Sequence, residues 1–108
     1  MVTKVVENRN AIFSFKKTKR ISVKNVNKFK IKVLRSIVNP AIDNIIVDLS
    51  NLDFMDSYAA NILVTLRKFG WRKNKRFYLR NISPDFQEII NLLKLEKDFR
   101  ILEKGELP

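Results

Sequence analysis

The sequence has 108 residues, 45% of them apolar, and its 22 Lys or Arg against 11 Asp or Glu give a formal net charge of +11. This length predicts one domain, residues 1–108, whose core buries roughly 60–70% of the surface that the unfolded chain exposes. Without His or Cys, the chain cannot form a Ser-His-Asp triad, a thiol nucleophile, a Cys/His zinc site or a disulfide.

Further absences exclude other classes. The two glycines, Gly70 and Gly105, stand apart, so the chain has no glycine-rich phosphate loop. We therefore expect no enzyme, no catalytic residue, no cofactor and no metal site. Residues 1–10 lack the apolar stretch of a secretory signal, and no segment approaches the ~20 apolar residues of a membrane span. The sequence thus predicts a cytoplasmic protein.

The first half of the chain predicts two strands, a helix and a buried strand. Strands are expected over Val2–Glu7 and Ala11–Phe15, on either side of a polar turn at Asn8–Asn10, with Lys16–Ile21 as an extension of the second. Ser22 is a candidate N-cap for a helix that ends before Asn39-Pro40. The apolar face of this helix would consist of Val26, Phe29, Val33, Leu34 and Ile37. The β-branched run Ile45–Leu49 is typical of a central strand that is covered on both faces.

The second half continues this alternation. After a turn at Ser50–Asp53, a helix is expected to begin near Asp56-Ser57 and to end near Gly70 or Lys73. Its inward residues would be Ala59, Ile62, Leu63, Leu66 and Phe69. Phe77–Leu79 predicts a strand, Ser83-Pro84-Asp85 a helix start, and Phe99–Leu102 a last strand. The order ββαβαβαβ predicts an α/β fold with a small mixed β-sheet.

Two segments resemble landmarks of a known family. The segment Ile45–Ser57, with the sequence IIVDLSNLDFMDS, resembles the central signature of STAS domains, the fold of bacterial anti-sigma-factor antagonists. Asn81–Pro84, followed by a helix and Leu95, is similar to the second landmark of the family. The resemblance covers roughly residues 42–101 and implies a small sheet with its helices packed mainly on one face.

The resemblance also implies a regulatory site. In the family, the phosphoacceptor is the Ser that directly follows the Asp of the signature, and in this chain that residue is Ser57. A partner kinase would phosphorylate it, and the protein would be the substrate and not the catalyst. We expect the partner surface to consist of Asp56, Ser57, Tyr58 and Asn61. From the residues alone, the favoured interpretation of Asp56-Ser57 is an ordinary helix N-cap pair, and it is the resemblance that adds the switch.

The chain departs from the family pattern near this site. Tyr58 and Ala59 stand where the family usually has a small or hydroxyl residue followed by Gly, and Asn61 occupies a second common Gly position. Lys94 likewise replaces a frequent Gly before Leu95. The bulk of Tyr58 beside the acceptor leaves a second interpretation open, a STAS domain that acts as a constitutive adaptor. Asp48, at the end of the central strand, is interpreted as structural.

The charge of the chain is unevenly distributed. Residues 1–42 carry eleven Lys or Arg against Glu7 alone, a net charge of +10, whereas the remainder carries +1. Lys24, Lys28 and Lys32 recur every four residues and predict one basic stripe on the first helix. A second cluster, around Trp71, closes the following helix and consists of Arg67, Lys68, Arg72, Lys73, Lys75 and Arg76. These faces are interpreted either as solvated helix surface or as contacts with an acidic partner or an anionic membrane.

Three functions follow from these patterns. The first is a phosphorylation-controlled regulatory protein that docks a histidine-kinase-like anti-sigma factor through the surface around Ser57, and thereby regulates transcription in a bacterial cell. The second is a non-switching STAS adaptor in a transporter-associated or signalling complex. The third and least favoured is a basic nucleic-acid-binding domain, since Trp71 and Tyr78 are the only candidate stacking residues and no known nucleic-acid-binding motif is present.

Overall fold

The computed structural model describes residues 1–108 and begins with a β-hairpin. Strands β1 (Val2–Glu7) and β2 (Asn10–Phe15) pair antiparallel, with Glu7 opposite Asn10. Asn8 and Arg9 connect them with positive φ angles of 50° and 68°. Two consecutive positive φ values are the conformation that a tight two-residue hairpin loop requires, and Asn adopts it readily. The predicted hairpin is confirmed, with Asn10 in the second strand and not in the turn.

The segment before the first helix differs from the prediction in two ways. Lys16–Ile21 does not extend β2, because Arg20–Ile21 forms a separate strand, β3, that pairs with a strand more than 30 residues later. The helix α1 spans Val26–Ile37, and its N-cap position is Asn25, so the predicted Ser22 cap is wrong. The Asn25 carboxamide oxygen instead accepts a hydrogen bond from the backbone N–H of Ser22, at 2.9 Å. Ser22 therefore belongs to a turn, and Lys24 of the predicted basic stripe lies in the same turn and not on the helix.

The middle of the chain follows the predicted order with one addition. The strand β4 spans Asn44–Asp48, and the two-residue strand β5, Phe54–Met55, pairs parallel with β3. The helix α2 spans Ser57–Arg72 and buries Ala59, Ala60, Leu63, Leu66 and Gly70. The predicted inward residues Ile62 and Phe69 are only partly buried and pack at the margin of the core.

The last third of the chain adds two strands and a helix. The strand β6 spans Arg76–Arg80, the helix α3 Pro84–Leu92, and the short strand β7 Arg100–Ile101. Ser83 caps α3 as predicted, because its hydroxyl accepts a hydrogen bond from the N–H of Phe86 at 3.1 Å and Pro84 occupies the first helical position. The predicted last strand is thus present but shorter than Phe99–Leu102.

Five of the seven strands form one mixed sheet in the order β1-β2-β4-β6-β7, and β3 and β5 form a separate two-stranded sheet. Only β1 runs antiparallel to its neighbour, and the other pairs are parallel. All three helices contribute buried side chains to the core that covers one face of this sheet, including Phe29 from α1, Leu63 from α2 and Phe86 from α3. The predicted α/β fold with helices mainly on one face is confirmed.

The central strand β4 is buried on both sides. Ile45 and Val47 face the helical core, where Phe29 packs against Phe13 and Phe15 with ring centroids 6.0 and 5.2 Å apart. On the opposite face lies a smaller cluster, which consists of Ile12, Ile46, Tyr78 and Leu102. Parallel strands place their carboxyl ends at one edge of a sheet, so the loops after β4 and β6 meet there.

Candidate functional site

The turn into α2 begins at the small β3–β5 sheet. Pairing of Ile21 with Met55 brings the chain past Ile21, whose carbonyl accepts a hydrogen bond from the N–H of Asp56 at 3.1 Å. Asp56 has an extended backbone, with φ −84° and ψ 170°, as the residue before a helix requires. The register of two short strands thereby fixes where α2 starts.

Both carboxylate oxygens of Asp56 are engaged within the chain. Oδ1 accepts a hydrogen bond from the N–H of Ala59 at 2.8 Å, which caps α2. Oδ2 accepts one from the N–H of Val23 at 3.1 Å, in the turn before α1. The capping interpretation of Asp56 is confirmed, and the same side chain ties the starts of two helices together. Its direct contact with a partner stays a prediction.

Ser57 is the first residue of α2, and its side chain is exposed. A helix leaves its first N–H groups without intrahelical acceptors. Asp56 satisfies that of Ala59 with its carboxylate and that of Ala60 with its carbonyl oxygen, at 3.0 Å. The N–H groups of Ser57 and Tyr58 remain for an external acceptor. No acidic residue lies in this first turn, so an exposed hydroxyl stands beside the positive end of a helix dipole.

Three further residues surround Ser57. Asn61 is exposed and lies one turn along the same helix face, since residues four apart are neighbours on a helix surface. Tyr58 is 44% exposed on the adjoining face. Val23 is 53% exposed, and its N–H bond to Asp56 brings it to this surface from 33 residues earlier. Val23 could not be predicted from the sequence, because no local pattern indicates a hydrogen bond between residues 33 positions apart.

A second polar cluster supports the loops around the site. The carboxylate of Asp48, at the end of β4, accepts hydrogen bonds from the Ser50 hydroxyl at 2.5 Å, Arg80 Nε at 2.9 Å and Asn81 Nδ2 at 3.0 Å. Burial by itself raises the pKa of Asp48, but the hydrogen bonds from Ser50, Arg80 and Asn81 outweigh it and lower the pKa below its ordinary value. Asp48 thus joins the ends of β4 and β6, in agreement with its predicted structural role.

The two landmark segments contact each other at this edge. The hydroxyl of Ser83 donates a hydrogen bond to the carbonyl oxygen of Leu52 at 3.0 Å while it accepts the capping bond from Phe86. The start of α3 is therefore tied to the turn that precedes β5 and α2. These contacts hold the turn before β5 and α2 against the start of α3.

The basic residues lie elsewhere. Lys28 and Lys32 are exposed on α1, as predicted. The cluster around Trp71 lies at the other end of α2, about 21 Å from Ser57 along the helix axis. No group of three or more Asp or Glu side chains is placed to hold a metal ion. None of the helices combines the length and the apolar character that a membrane span needs.

Comparison with known proteins identifies relatives of this chain. A family model described as the STAS domain matches residues 3–105. A curated relative, a STAS-domain containing protein of Pseudomonas aeruginosa (strain UCBPP-PA14), is 34% identical over 56 residues, which are 52% of this chain and 55% of that protein. The match thus spans about half the length of the curated relative.

Solved structures share the fold over nearly the whole chain. An anti-sigma-factor antagonist (STAS) domain protein from Planctomyces limnophilus has a TM-score of 0.82 at 17% identity, with 94% of this chain and 88% of that chain covered. The anti-sigma factor antagonist SpoIIAA in its unphosphorylated form has a TM-score of 0.72 at 16% identity, with 95% and 88% covered. The Bacillus cell fate determinant SpoIIAA in its phosphorylated form has a TM-score of 0.70 at 17% identity, with 96% and 93% covered.

A membrane protein contains a similar fold as well. The murine anion transporter Slc26a9 has a TM-score of 0.65 at 18% identity, with 80% of this chain and 14% of the transporter covered. At such identities the likeness to solved structures shows the fold alone. The family match over residues 3–105 goes further, and it shows that the chain belongs to the STAS domain family.

Proposed function

We propose that this protein is a phosphorylation-controlled regulatory binding protein whose phosphoacceptor is Ser57. Its partner would be a histidine-kinase-like anti-sigma factor that docks on the surface formed by Val23, Asp56, Ser57, Tyr58 and Asn61, here named the Ser57 surface. One observation carries the proposal: the residue that the family resemblance designates is an exposed hydroxyl at the first position of α2. A family member, SpoIIAA, exists in both unphosphorylated and phosphorylated forms.

The chain would supply the position of the hydroxyl and the partner would supply the nucleotide. The Ser57 oxygen attacks the γ-phosphorus of ATP, its proton passes to a base of the kinase, and ADP leaves. Because the acceptor has to be aligned with the phosphorus, a rigid location matters more than any catalytic group on this chain. The Asp56 cap fixes that location by joining α2 to the turn before α1.

The fold should accept the added phosphate. The group carries roughly −1.5 to −2 charges, and at Ser57 it lies beside the N–H groups of Ser57 and Tyr58. A helix N-terminus favours an anion in this place through its free N–H groups and its dipole. The one carboxylate at this helix start, that of the N-cap Asp56, has both oxygens engaged by the N–H groups of Ala59 and Val23, and no acidic residue follows it in the first turn. Phosphorylation is therefore expected to leave the structure of the chain intact.

Phosphorylation should change the affinity for the partner much more than the stability of the fold. A phosphate enclosed in an interface without a cationic partner, or against a like charge, costs several kcal/mol. A loss of ~3 kcal/mol weakens a complex by about 100-fold. The flanking Val23 and Tyr58 are exposed, and such side chains lose water when a partner covers them. The switch thus requires no conformational change.

Phosphorylation can be tested directly. The protein is incubated with ATP and a histidine-kinase-like anti-sigma factor from the same genome, and its intact mass is measured. The proposal predicts a gain of one phosphate, and no gain for Ser57→Ala. Ser14, whose side chain is partly buried in β2, offers a matched control as Ser14→Ala, which should gain the phosphate as the wild type does. An unmodified wild-type protein in an active kinase mixture contradicts the switch.

A constitutive adaptor is the second candidate. It is favoured by Tyr58, which at 44% exposure places a large ring directly beside the acceptor, and by the shared fold of the transporter Slc26a9. Ser57→Asp separates the two candidates, because it adds a charge at the acceptor. The switch predicts that this variant binds the partner more weakly with its stability within about 0.5 kcal/mol of the wild type. Unchanged affinity supports the adaptor.

A further inference from the structure

A surface rich in cations lies at the end of the molecule opposite the Ser57 surface. We name it the basic pole and define it by five side chains around Trp71: Arg67, Lys68, Arg72, Arg76 and Lys97. It lies where α2 ends and β6 begins. A Cβ added at Gly70 would lie 3.8 Å from Ile37 Cδ1, so the end of α1 is adjacent. The pole therefore combines the carboxyl ends of two helices.

The fold uses only some of the cations in this region. Lys75 Nζ donates hydrogen bonds to the carbonyl oxygens of Asn39 and Ile42, which holds the loop after α1. Arg9 is paired with Asp43, and Arg100 with Glu106. One cation in the last turn of each helix, such as Arg72 in α2, suffices to complement the negative end of its dipole. The other members of the basic pole form no ion pair, so their charge is available to a ligand.

Trp71 is the centre of the basic pole and is 70% exposed. Its indole forms a wall of three neighbouring clefts, the largest of about 340 Å³. Arg67 and Arg76 each line two of these clefts. Asp98 is the one acidic side chain in their lining. A projecting indole is thus surrounded by guanidinium and ammonium groups.

Three kinds of anionic partner differ in what they require of such a surface. Protein interfaces are enriched in Trp and Arg but depleted in Lys, whereas here Lys68 and Lys97 line the clefts around the single indole together with the arginines. Sites for single-stranded nucleic acid stack successive bases on several aromatic side chains, and Trp71 is the only tryptophan, while Tyr78 is buried. An anionic membrane surface requires basic side chains near its phosphates and an amphipathic ring at headgroup level.

We propose that the basic pole binds the surface of an anionic phospholipid bilayer. The indole of Trp71 enters the headgroup layer, and Arg67 and Arg76 contact lipid phosphates from the clefts beside it. Val38, which is 62% exposed just after α1, adds apolar surface at the same end. Since α2 separates Trp71 from Ser57 by about 21 Å, a membrane-bound molecule keeps its Ser57 surface free for a partner.

The tryptophan fluorescence of the protein reports the environment of Trp71, because Trp71 is the single tryptophan of the chain. The full chain is titrated with vesicles of phosphatidylcholine containing roughly 30 mol% phosphatidylserine, in about 0.1 M salt. The proposal predicts a shift of the emission to shorter wavelength, no shift with pure phosphatidylcholine vesicles, and weaker binding as salt rises. Trp71→Ala should bind the same vesicles more weakly in a flotation assay.

A matched pair of double variants locates the contact. Arg67→Gln with Arg76→Gln should weaken vesicle binding by about 30-fold. Lys24→Gln with Lys28→Gln removes the same charge. Lys28 lies about 14 Å before the end of α1, beyond the Debye length of about 10 Å. The vesicle affinity of this control should fall by less than about threefold. Melting temperatures of both variants verify that they fold.

Other results overturn the proposal. If the two double variants lose vesicle affinity equally, the total charge of the chain drives binding and the basic pole does not. A shift of Trp71 emission with an oligothymidine, but none with the anionic vesicles, assigns the surface to nucleic acid. A shift with a poly-glutamate peptide, but none with the vesicles, assigns it to an acidic protein segment. No shift with anionic vesicles at low salt leaves the basic pole without a membrane role.

Discussion

Asp56 provides the sharpest test of how the Ser57 surface is built. In the structure, its carboxylate accepts one hydrogen bond from Ala59 in α2 and one from Val23 in the turn before α1. Asp56→Ala removes both bonds and leaves the two N–H groups to water. We expect this variant to be destabilised, because a cap and a long-range tie are lost together.

The size of the effect follows from the two contacts. Loss of an N-cap side chain costs about 1 kcal/mol, and loss of the second, exposed hydrogen bond costs about 1 kcal/mol. The sum is about 2 kcal/mol. At about 2.1 cal/mol/K per residue, the unfolding entropy of a chain of this length is about 0.23 kcal/mol/K. The melting temperature should therefore fall by about 9 °C.

Thermal unfolding followed by circular dichroism measures this fall. Asp56→Asn is the matched variant, because asparagine is an equally good N-cap but its Nδ2 cannot accept the bond from Val23, so it should recover about half of the loss. Ser57→Ala, one residue along, should remain within about 0.5 kcal/mol of the wild type. If Asp56→Ala melts at the same temperature as the wild type, or if Ser57→Ala is destabilised as strongly as Asp56→Ala, the Asp56 carboxylate does not hold the two helix starts together.

Three further predictions concern the scaffold. Phe29→Ala should cost about 3–5 kcal/mol in a urea titration, since it empties the site between Phe13 and Phe15, and a loss under 1 kcal/mol contradicts this packing. Gly70→Ala should stabilise the chain by up to about 1 kcal/mol, because the added methyl meets neighbours only at 3.7 Å or more, and destabilisation shows that the space is absent. Asp48 has a lowered pKa in the folded state, so its stabilising effect is present above about pH 4 and is lost as pH falls through the folded pKa. Asp48→Asn should therefore flatten the acid side of the profile of melting temperature against pH, and an unchanged slope contradicts it.

The order of the main elements could be predicted because their signals are local. Two alternating runs around a polar turn indicated the hairpin, and the β-branched run from Ile45 indicated a strand buried on both faces. The Ser83-Pro84 start of α3 is a contact between near neighbours, so the residues alone determined it. The family resemblance then led to Ser57, which lies at an exposed helix start as expected.

Most of the remainder depends on contacts between distant residues. The strands β3 and β5 have two residues each, too few for any period, and their pairing joins segments more than 30 residues apart. Ser22 has the residue type of an N-cap, but the Asn25 side chain binds its N–H and the helix begins later. Val23 reaches the Ser57 surface only through Asp56. Long-range pairing thus decided the two short strands and the place of Val23, whereas the Ser22 cap failed because a side chain three residues away competes for it.

The most direct test of the central claim is the affinity of the kinase-type partner for the two forms of this protein. Isothermal titration calorimetry compares the unmodified chain with the chain carrying one phosphate on Ser57, at the same salt concentration. The account predicts that the phosphate weakens binding by about 100-fold, while the melting temperature of the free protein hardly changes. Equal affinity of the two forms would contradict the role of Ser57 as the switch.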